Sequence, residues 1–401
     1  MPKPVVIVGA SMGGLRTAES LRRFGYNGPI VAIGDEPYAP YNRPPLSKEV
    51  LAADEVSHAA VAFPIRTAVE DVEFKLGKRV ISADLDAGTV TIDGGEVVEY
   101  SQLVIATGLR PKRQTYSNDI EKGRHVIRSL DDALALRAEL TPGAKVVVLG
   151  AGFIGCETAA TAKKLGCDVT VVAPGTLPIK RPLGDELAAE VMRRQQAQGV
   201  KFLMQTAVDD LVGTDKVTAV KLGNGQELEC DVFIEAIGSI ANTEWLDGND
   251  IVNTDGVLTD HTLRAVKESG ATWSNVFVVG DVAKFPNPIF DSHARRVEHW
   301  NIPTECAKHV AQIIAVMNGA EGNLDELLAK PFKPVPSFWS DQFDTHILAF
   351  GLLGLADSIE LVQGELSGDC VFEYRREGQL VGVAGIGLRS VVQGYRKEFE
   401  R

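Results

Sequence analysis

Three glycines at fixed spacing, Gly150-x-Gly152-x-x-Gly155, follow the apolar run Val146-Val147-Val148-Leu149. The first glycine of such a set permits a tight turn. The second lets backbone approach a pyrophosphate, and the third lets the following helix pack closely on the strand. The helix N-terminus then offers free N–H groups and a partial positive charge to the phosphates. A near copy, Gly9-x-Ser11-x-x-Gly14, follows Val5-Val6-Ile7-Val8 and includes Gly13. Its central serine means that backbone approach there must tolerate a hydroxymethyl group. One such motif is equally explained by a tight strand-to-helix turn, whereas two copies with matching flanks point to two dinucleotide sites.

The residue types at the ends of the next strands bear on which nucleotide each site takes. In Ile33-Gly34-Asp35-Glu36-Pro37, Asp35 or Glu36 supplies the carboxylate that accepts from an adenosine ribose. After the second fingerprint the matching strand, Asp168 to Val172, ends in Ala173. Alanine neither holds a ribose 2′-hydroxyl nor repels a 2′-phosphate, so NADH versus NADPH is left open, with Lys180 and Arg181 as cations for a 2′-phosphate.

The elements that must position these turns can be read from apolar runs and glycine stops. Helices are expected over Leu15 to Phe24 and Cys156 to Leu165, each ending at a glycine suited to a C-cap, Gly25 and Gly166. Further strands are expected at Thr89 to Ile92, Leu103 to Ala106, Phe233 to Gly238 and Val276 to Gly280. After Pro331, Pro334 and Pro336 the character changes. Ile347 to Phe350, Ile359 to Val362, Cys370 to Arg375 and Leu380 to Gly385 then read as strands of a small α+β domain. The fold class is α/β, with two Rossmann-like dinucleotide-binding domains and the small α+β domain at the C-terminal end.

A chain of 401 residues, 45% of them hydrophobic, is too long for one ordinary core. No apolar stretch reaches about 18 residues and no secretory leader is recognised, so a cytoplasmic protein with no membrane partner is expected. A formal charge of -13 disfavours nucleic acid as a partner. The five cysteines, at 156, 167, 230, 306 and 370, lack metal-ligand or disulfide-framework spacing and are read as reduced structural thiols, with no metal.

Tyr41-Asn42-Arg43-Pro44-Pro45-Leu46-Ser47-Lys48, Ala106-Thr107-Gly108 and Val279-Gly280-Asp281, with Phe338-Trp339-Ser340-Asp341-Gln342, carry a family resemblance. Together they resemble the FAD-dependent ferredoxin and rubredoxin reductases, which serve Rieske oxygenases and bacterial P450 systems. The resemblance spans the whole chain, and residues 43–48 are its most specific part. It implies a glutathione-reductase-like fold: an FAD domain of residues 1–110 and 237–320, interrupted by an NAD(P) domain of 111–236 and followed by an interface domain of 321–401.

By that resemblance, Gly9, Ser11, Gly13 and Gly14 wrap the FAD pyrophosphate and Asp35 holds the adenosine. Arg43 and Lys48 lie along the phosphate and isoalloxazine, and Val80 meets the adenine side. Ala106, Thr107, Gly108 and Arg128 line the cofactor, Gly280 and Asp281 meet the ribityl chain, and Trp300 sits beside the ring. The NAD(P) site draws on Gly150, Gly152, Phe153, Ile154, Gly155, Glu157, Ile237 and Gly238, with Ala241 standing where the family has proline. Lys48 and Glu157 are the implied catalytic residues: Glu157 lies near the nicotinamide and pairs with Lys48, whose cation stabilises negative charge developing on the flavin.

The implied activity is acceptance of hydride from NADH, or NADPH, by FAD, followed by one-electron transfer to a ferredoxin, [2Fe-2S] in type, that serves an oxygenase. Rubredoxin is the alternative carrier. Arg295, Arg296, Arg389, Arg396 and Lys397 are candidates for a positive docking patch facing an acidic carrier. A disulfide or peroxide reductase would need a redox cysteine near the flavin, and residues 43–48 contain none. The rival from another class is a flavin-binding interaction protein resembling apoptosis-inducing factor, which the acidic balance disfavours.

Overall fold

The computed structural model describes residues 2–118 and 120–399. By contact density the chain forms two compact units. One comprises Met1–Asn42, Val61–Arg110 and Ile240–Pro336; the other comprises Arg43–Ala60, Pro111–Ser239 and Ser337–Arg401.

In the first unit the run Val5–Val8 is fully buried, as a strand covered on both faces requires. It pairs in parallel with Ile30–Ile33 on one side and Gln102–Ile105 on the other, with Val5 opposite Ile30 and Gln102. Thr272–Val278 and Glu73–Lys75 extend this sheet in parallel, and Arg264–Val266 closes one edge in antiparallel pairing. The fingerprint helix, Met12–Arg23, buries Leu15, Ala18 and Leu21 and packs against a second helix, Ile302–Met317. A separate antiparallel sheet of Val80–Asp84, Thr89–Ile92 and Val97–Glu99 carries Val80.

The second unit repeats the pattern. Lys145–Leu149 pairs in parallel with Asp168–Ala173 and with Val232–Glu235, and Lys201–Met204 and Arg124–His125 complete five parallel strands. Alternate residues of the central strand feed different cores: Val146 and Val148 pack with Ala159, Val169 and Ile234, while Val147 and Leu149 pack with Phe233, Leu211 and Val220. Two-sided burial is why this strand reads as an unbroken apolar run rather than an alternating one. Residues 337–401 belong to the same unit and form a five-stranded antiparallel sheet, in the order Ser337–Gln342, Thr345–Gly351, Gln379–Ile386, Cys370–Arg376, Ser358–Gly364. Set beside boundaries at 110, 236 and 320, the compact units place residues 43–60 with the second unit and residues 321–336 with the first.

Both fingerprint helices start earlier than glycine content suggests. They begin at Met12 and Phe153, because glycines in a first helical turn already hold helical backbone angles although they read as turn residues. The strand Ser337–Gln342 is not among the expected strands, because its Ser-Asp-Gln end lacks the apolar alternation by which strands are recognised. The proline segment that follows the short helix Leu324–Ala329 is tied down, with Asn287 Nδ2 donating to the Pro334 carbonyl at 2.8 Å and the Phe332 amide donating to the His261 carbonyl at 2.7 Å. Among the described residues, no helix is long and apolar enough to cross a membrane.

Candidate functional site

Each fingerprint forms a cradle that only glycine permits. Gly9 has φ +118°, and a Cβ there would lie 2.1 Å from the Ala106 carbonyl oxygen; one on Gly14 would lie 2.0 Å from the Gly9 oxygen. The second turn reproduces this: Gly150 has φ +107° with a Cβ 2.3 Å from the Ala236 oxygen, and a Cβ on Gly155 would lie 2.1 Å from the Gly150 oxygen. The close backbone approaches hold the turn against the end of the neighbouring parallel strand, so the helix begins with its N–H groups turned outward. Ser11, the first N-cap, makes no side-chain cap hydrogen bond, and Gly152, the second, has no side chain to make one. Those amides and the helix dipole are therefore available to phosphate oxygens, which is the chemistry a dinucleotide pyrophosphate needs. A Cβ at Gly152 meets nothing within 4 Å, and the middle position of such a turn thus has room for the Ser11 side chain.

In the first unit the strand Gln102–Ile105 runs into Ala106, Thr107 and Gly108 beside the glycine cradle. Thr107 is fixed from both ends: its hydroxyl donates to the Asn242 carbonyl at 2.7 Å, and Asn242 Nδ2 donates to the Thr107 carbonyl at 3.0 Å. Asn242 has no motif of its own and is revealed by this reciprocal pair together with its amide, which donates to the Gly108 carbonyl at 3.1 Å. Gly280 and Asp281 open a short 3-10 turn at the end of Thr272–Val278. At the tip of Ile30–Ile33, Asp35 is exposed, whereas Glu36 accepts the buried Tyr41 hydroxyl at 2.5 Å. Trp300 is 40% exposed and its Nε1 donates to Asn42 Oδ1 at 3.2 Å.

The residues Arg43, Lys48 and Arg128 lie in the other unit. Pro44 and Pro45 start a 3-10 turn, Pro44–Ser47, their fixed φ suiting its first positions. Arg43 Nη1 donates to the Arg128 carbonyl at 2.6 Å, bringing those two together. Lys48, next after the turn, donates from Nζ to Glu157 Oε2 at 2.7 Å and back to the Pro44 carbonyl at 3.1 Å. The Lys48 side chain is 12% exposed and that of Glu157 3%. Ser47 Oγ donates to the same carboxylate oxygen at 2.7 Å, and Ser340 Oγ donates to Oε1 at 2.7 Å. Thr161 Oγ1, one helical turn past Glu157, donates to the Ser47 carbonyl at 2.8 Å and clamps the proline turn to the helix Phe153–Lys164. The family resemblance marks Lys48 and Glu157, whereas Ser47 and Ser340 stand inside the same motifs without a marked role.

Around the second cradle, Phe153 packs against Phe338 with ring centroids 4.8 Å apart, and Ile154 is 45% exposed. Ile237 and Gly238 follow Val232–Glu235, and the Gly238 carbonyl accepts the Lys112 amide at 2.9 Å. The end of that strand is anchored by a buried ion pair: Arg124 Nε donates to Glu235 Oε2 at 2.8 Å, with the guanidinium 5.0 Å from the Tyr116 ring centre. Ala173 closes its strand buried, and Lys180 is paired with Asp185 at 2.6 Å, while Arg181 is exposed.

All five cysteines are free and buried, and burial raises their thiols, Cys230 and Cys306 to about 12. Cys156 is fully buried on the helix just past Gly155. A thiol held protonated in an apolar setting is a poor nucleophile. Of the proposed docking cations, Arg295 is paired with Asp291, and Arg296 with Asp255 and Glu298. Arg389, Arg396 and Lys397 are exposed on the last helical turns.

The sequence profile of the pyridine nucleotide-disulphide oxidoreductases matches residues 3–305. The chain is 33% identical over 396 residues to the ferredoxin–NAD(+) reductase component of the anthranilate 1,2-dioxygenase system of Burkholderia cepacia, covering 96% of this chain and 91% of that one. It is 30% identical to the rubredoxin–NAD(+) reductase of Pseudomonas putida, covering 96% of each. Among solved structures, the reductase of the covalent putidaredoxin reductase–putidaredoxin complex superposes with a TM-score of 0.88 at 26% identity, covering 99% of this chain and 93% of that one.

Proposed function

The chain belongs to the pyridine nucleotide-disulphide oxidoreductase family, and from that premise we propose that it is an FAD-dependent ferredoxin–NAD(+) reductase. It takes hydride from NADH and passes electrons singly to a [2Fe-2S] ferredoxin that serves an oxygenase. The observation that carries this reading is the pair of glycine cradles, two strand-turn-helix sites of the same geometry in one chain. One chain with two dinucleotide sites and no accessible thiol suits transfer from a nicotinamide to a flavin and onward, rather than disulfide exchange.

The Gly9–Gly14 turn and the Met12–Arg23 helix hold the FAD pyrophosphate, with Asp35, Val80, the 106–108 segment, Arg128, Gly280, Asp281 and Trp300 along the rest of the cofactor. The Gly150–Gly155 turn, with Phe153, Ile154, Ile237 and Gly238, holds the nicotinamide nucleotide. Bound FAD supplies the hydride-accepting and one-electron-donating chemistry. The protein supplies orientation and charge. Lys48 contributes the cation that favours negative charge on reduction, and Glu157 holds its ammonium in place. We assign residues 111–236 to nucleotide binding and residues 1–110 and 237–320 to FAD, with 321–401 as the interface domain, and place the protein in the cytoplasm, where NADH is the abundant donor.

Anaerobic stopped-flow absorbance tests this. Mixing with NADH should bleach the flavin band, and adding a [2Fe-2S] ferredoxin should restore it; a flavin band that NADH leaves untouched would sink the proposal. Rubredoxin is the second carrier to try, because of the likeness to the Pseudomonas putida enzyme. Fast bleaching with no recovery by either carrier would favour an interaction protein.

A further inference from the structure

Glu157 is held by more than Lys48. Its Oε1 accepts from Ser340 Oγ at 2.7 Å. Ser340 in turn accepts from Gln342 Nε2 at 3.0 Å, and Gln342 Oε1 accepts from Gln195 Nε2 at 2.6 Å. Gln195 is itself pinned, its Nε2 also donating to the Cys156 carbonyl at 3.2 Å. Glu157, Gln195, Ser340 and Gln342 are all buried, with Ser340 at 0% exposure. The hydrogen-bond chain begins on the helical segment Lys180–Ala197, beyond its kink at Gly184, crosses the first strand of the C-terminal sheet and ends on the carboxylate.

The polarity of this chain is fixed along its length. A primary amide both donates and accepts, and a hydroxyl has one proton. Because Ser340 accepts from Gln342, its proton is directed at Glu157. Ser47 likewise accepts from Lys48 Nζ at 3.4 Å and donates to Glu157 at 2.7 Å. Every group facing the carboxylate is therefore a donor, and each link polarises the next. Such a network fits a carboxylate in one orientation, and that orientation sets where the Lys48 ammonium is drawn.

We infer that Ser340, oriented by Gln342 and Gln195, is a positioning residue for the reductive half-reaction: it fixes the Glu157 carboxylate and, through it, the Lys48 cation. The C-terminal sheet thus contributes to hydride transfer through the Glu157 carboxylate. The inference rests on the reading of Lys48 as the cation that serves flavin reduction.

The test compares the FAD-loaded protein with Ser340→Ala, Ser340→Thr and Gln342→Met by two readouts. One is acylation of Lys48 by limiting acetic anhydride, quantified by peptide mass spectrometry against the exposed Lys180. The other is flavin reduction by NADH. Ser340→Ala should raise Lys48 acylation several-fold and slow reduction at saturating NADH by roughly tenfold to a hundredfold, the range a small misplacement costs. The NADH concentration giving half-maximal rate should stay put. Ser340→Thr, which keeps the hydroxyl, should restore both readouts, and Gln342→Met should shift both in the same direction by less. Lys48 acylation in Ser340→Ala equal to that of the unaltered protein overturns the inference. So does a threonine variant of normal thermal stability that fails to rescue. Acylation needs no hydride donor, so a protein that NADH does not reduce would defeat the proposed function while leaving the Lys48 readout interpretable.

Discussion

Lys48 and Glu157 are separated by 109 positions and meet at 2.7 Å with little solvent between them. Truncating the lysine removes the cation and also leaves a buried carboxylate with only hydroxyl donors. Lys48→Ala should therefore retain FAD, slow its reduction by NADH by at least about tenfold, and lose stability toward the low end of the ~3–5 kcal/mol typical of a broken buried pair. Stopped-flow reduction and thermal unfolding on one preparation check both; reduction at the unaltered rate would remove Lys48 from the mechanism. The motif at 43–48 marked Lys48 from sequence, and the position just past the second fingerprint marked Glu157. Ser47, Ser340 and Thr161 were not legible as functional, because serine and threonine are common everywhere and only their convergence on one carboxylate and one turn distinguishes them.

The strand-turn-helix element is where sequence and structure agree most closely, since much of its constraint is local. Gly14 and Gly155 answer to the carbonyls of Gly9 and Gly150 inside the motif, which spacing encodes, while Gly9 and Gly150 answer to the distant Ala106 and Ala236. The same constraint separates positions that look alike in the motif. Gly155→Ala places a Cβ 2.1 Å from a backbone oxygen and should abolish nucleotide binding with a clear loss of stability, while Gly152→Ala meets nothing within 4 Å and should fold normally. Equilibrium dialysis with NAD(+) and thermal melts distinguish the two; equal melting points for both variants would refute the steric account. Helix starts were misplaced by three residues for the same local reason, since glycines in a helical first turn carry no helix propensity.

For the molecule as a whole, burial decides which groups stay silent. Cys156, Cys167, Cys230, Cys306 and Cys370 are all buried, so the native protein should not react with a thiol reagent such as dithionitrobenzoate, should release five thiols on denaturation, and should keep full reductase activity after iodoacetamide treatment. Loss of activity after alkylation would reinstate a redox cysteine. Burial also lowers His309 to about 4 from 6.5, and its ring packs on Phe332 at 5.3 Å. A depressed histidine binds fewer protons in the folded than in the unfolded chain between those two values. Its contribution is thus intact above pH 6.5 and is lost as pH falls toward 4. Burial lowers His299 to about 4 as well, so His309→Asn should lessen the fall in denaturant-measured stability across that window without abolishing it, and an unchanged slope would assign the acid sensitivity elsewhere.

The sequence by itself determined the two dinucleotide turns, the parallel strands that flank them and the family likeness carried by residues 43–48, 106–108 and 279–281. These follow from backbone sterics and apolar periodicity, which act over a few residues at a time. Only the tertiary structure decided that residues 43–60 and 337–401 share a compact unit with residues 111–239, and that a strand reading as polar, Ser337–Gln342, delivers a hydroxyl to Glu157. Contacts between residues so far apart in the chain depend on how sheets and helices pack. A buried carboxylate then selects, from whatever side chains that packing brings near, the donors that it needs.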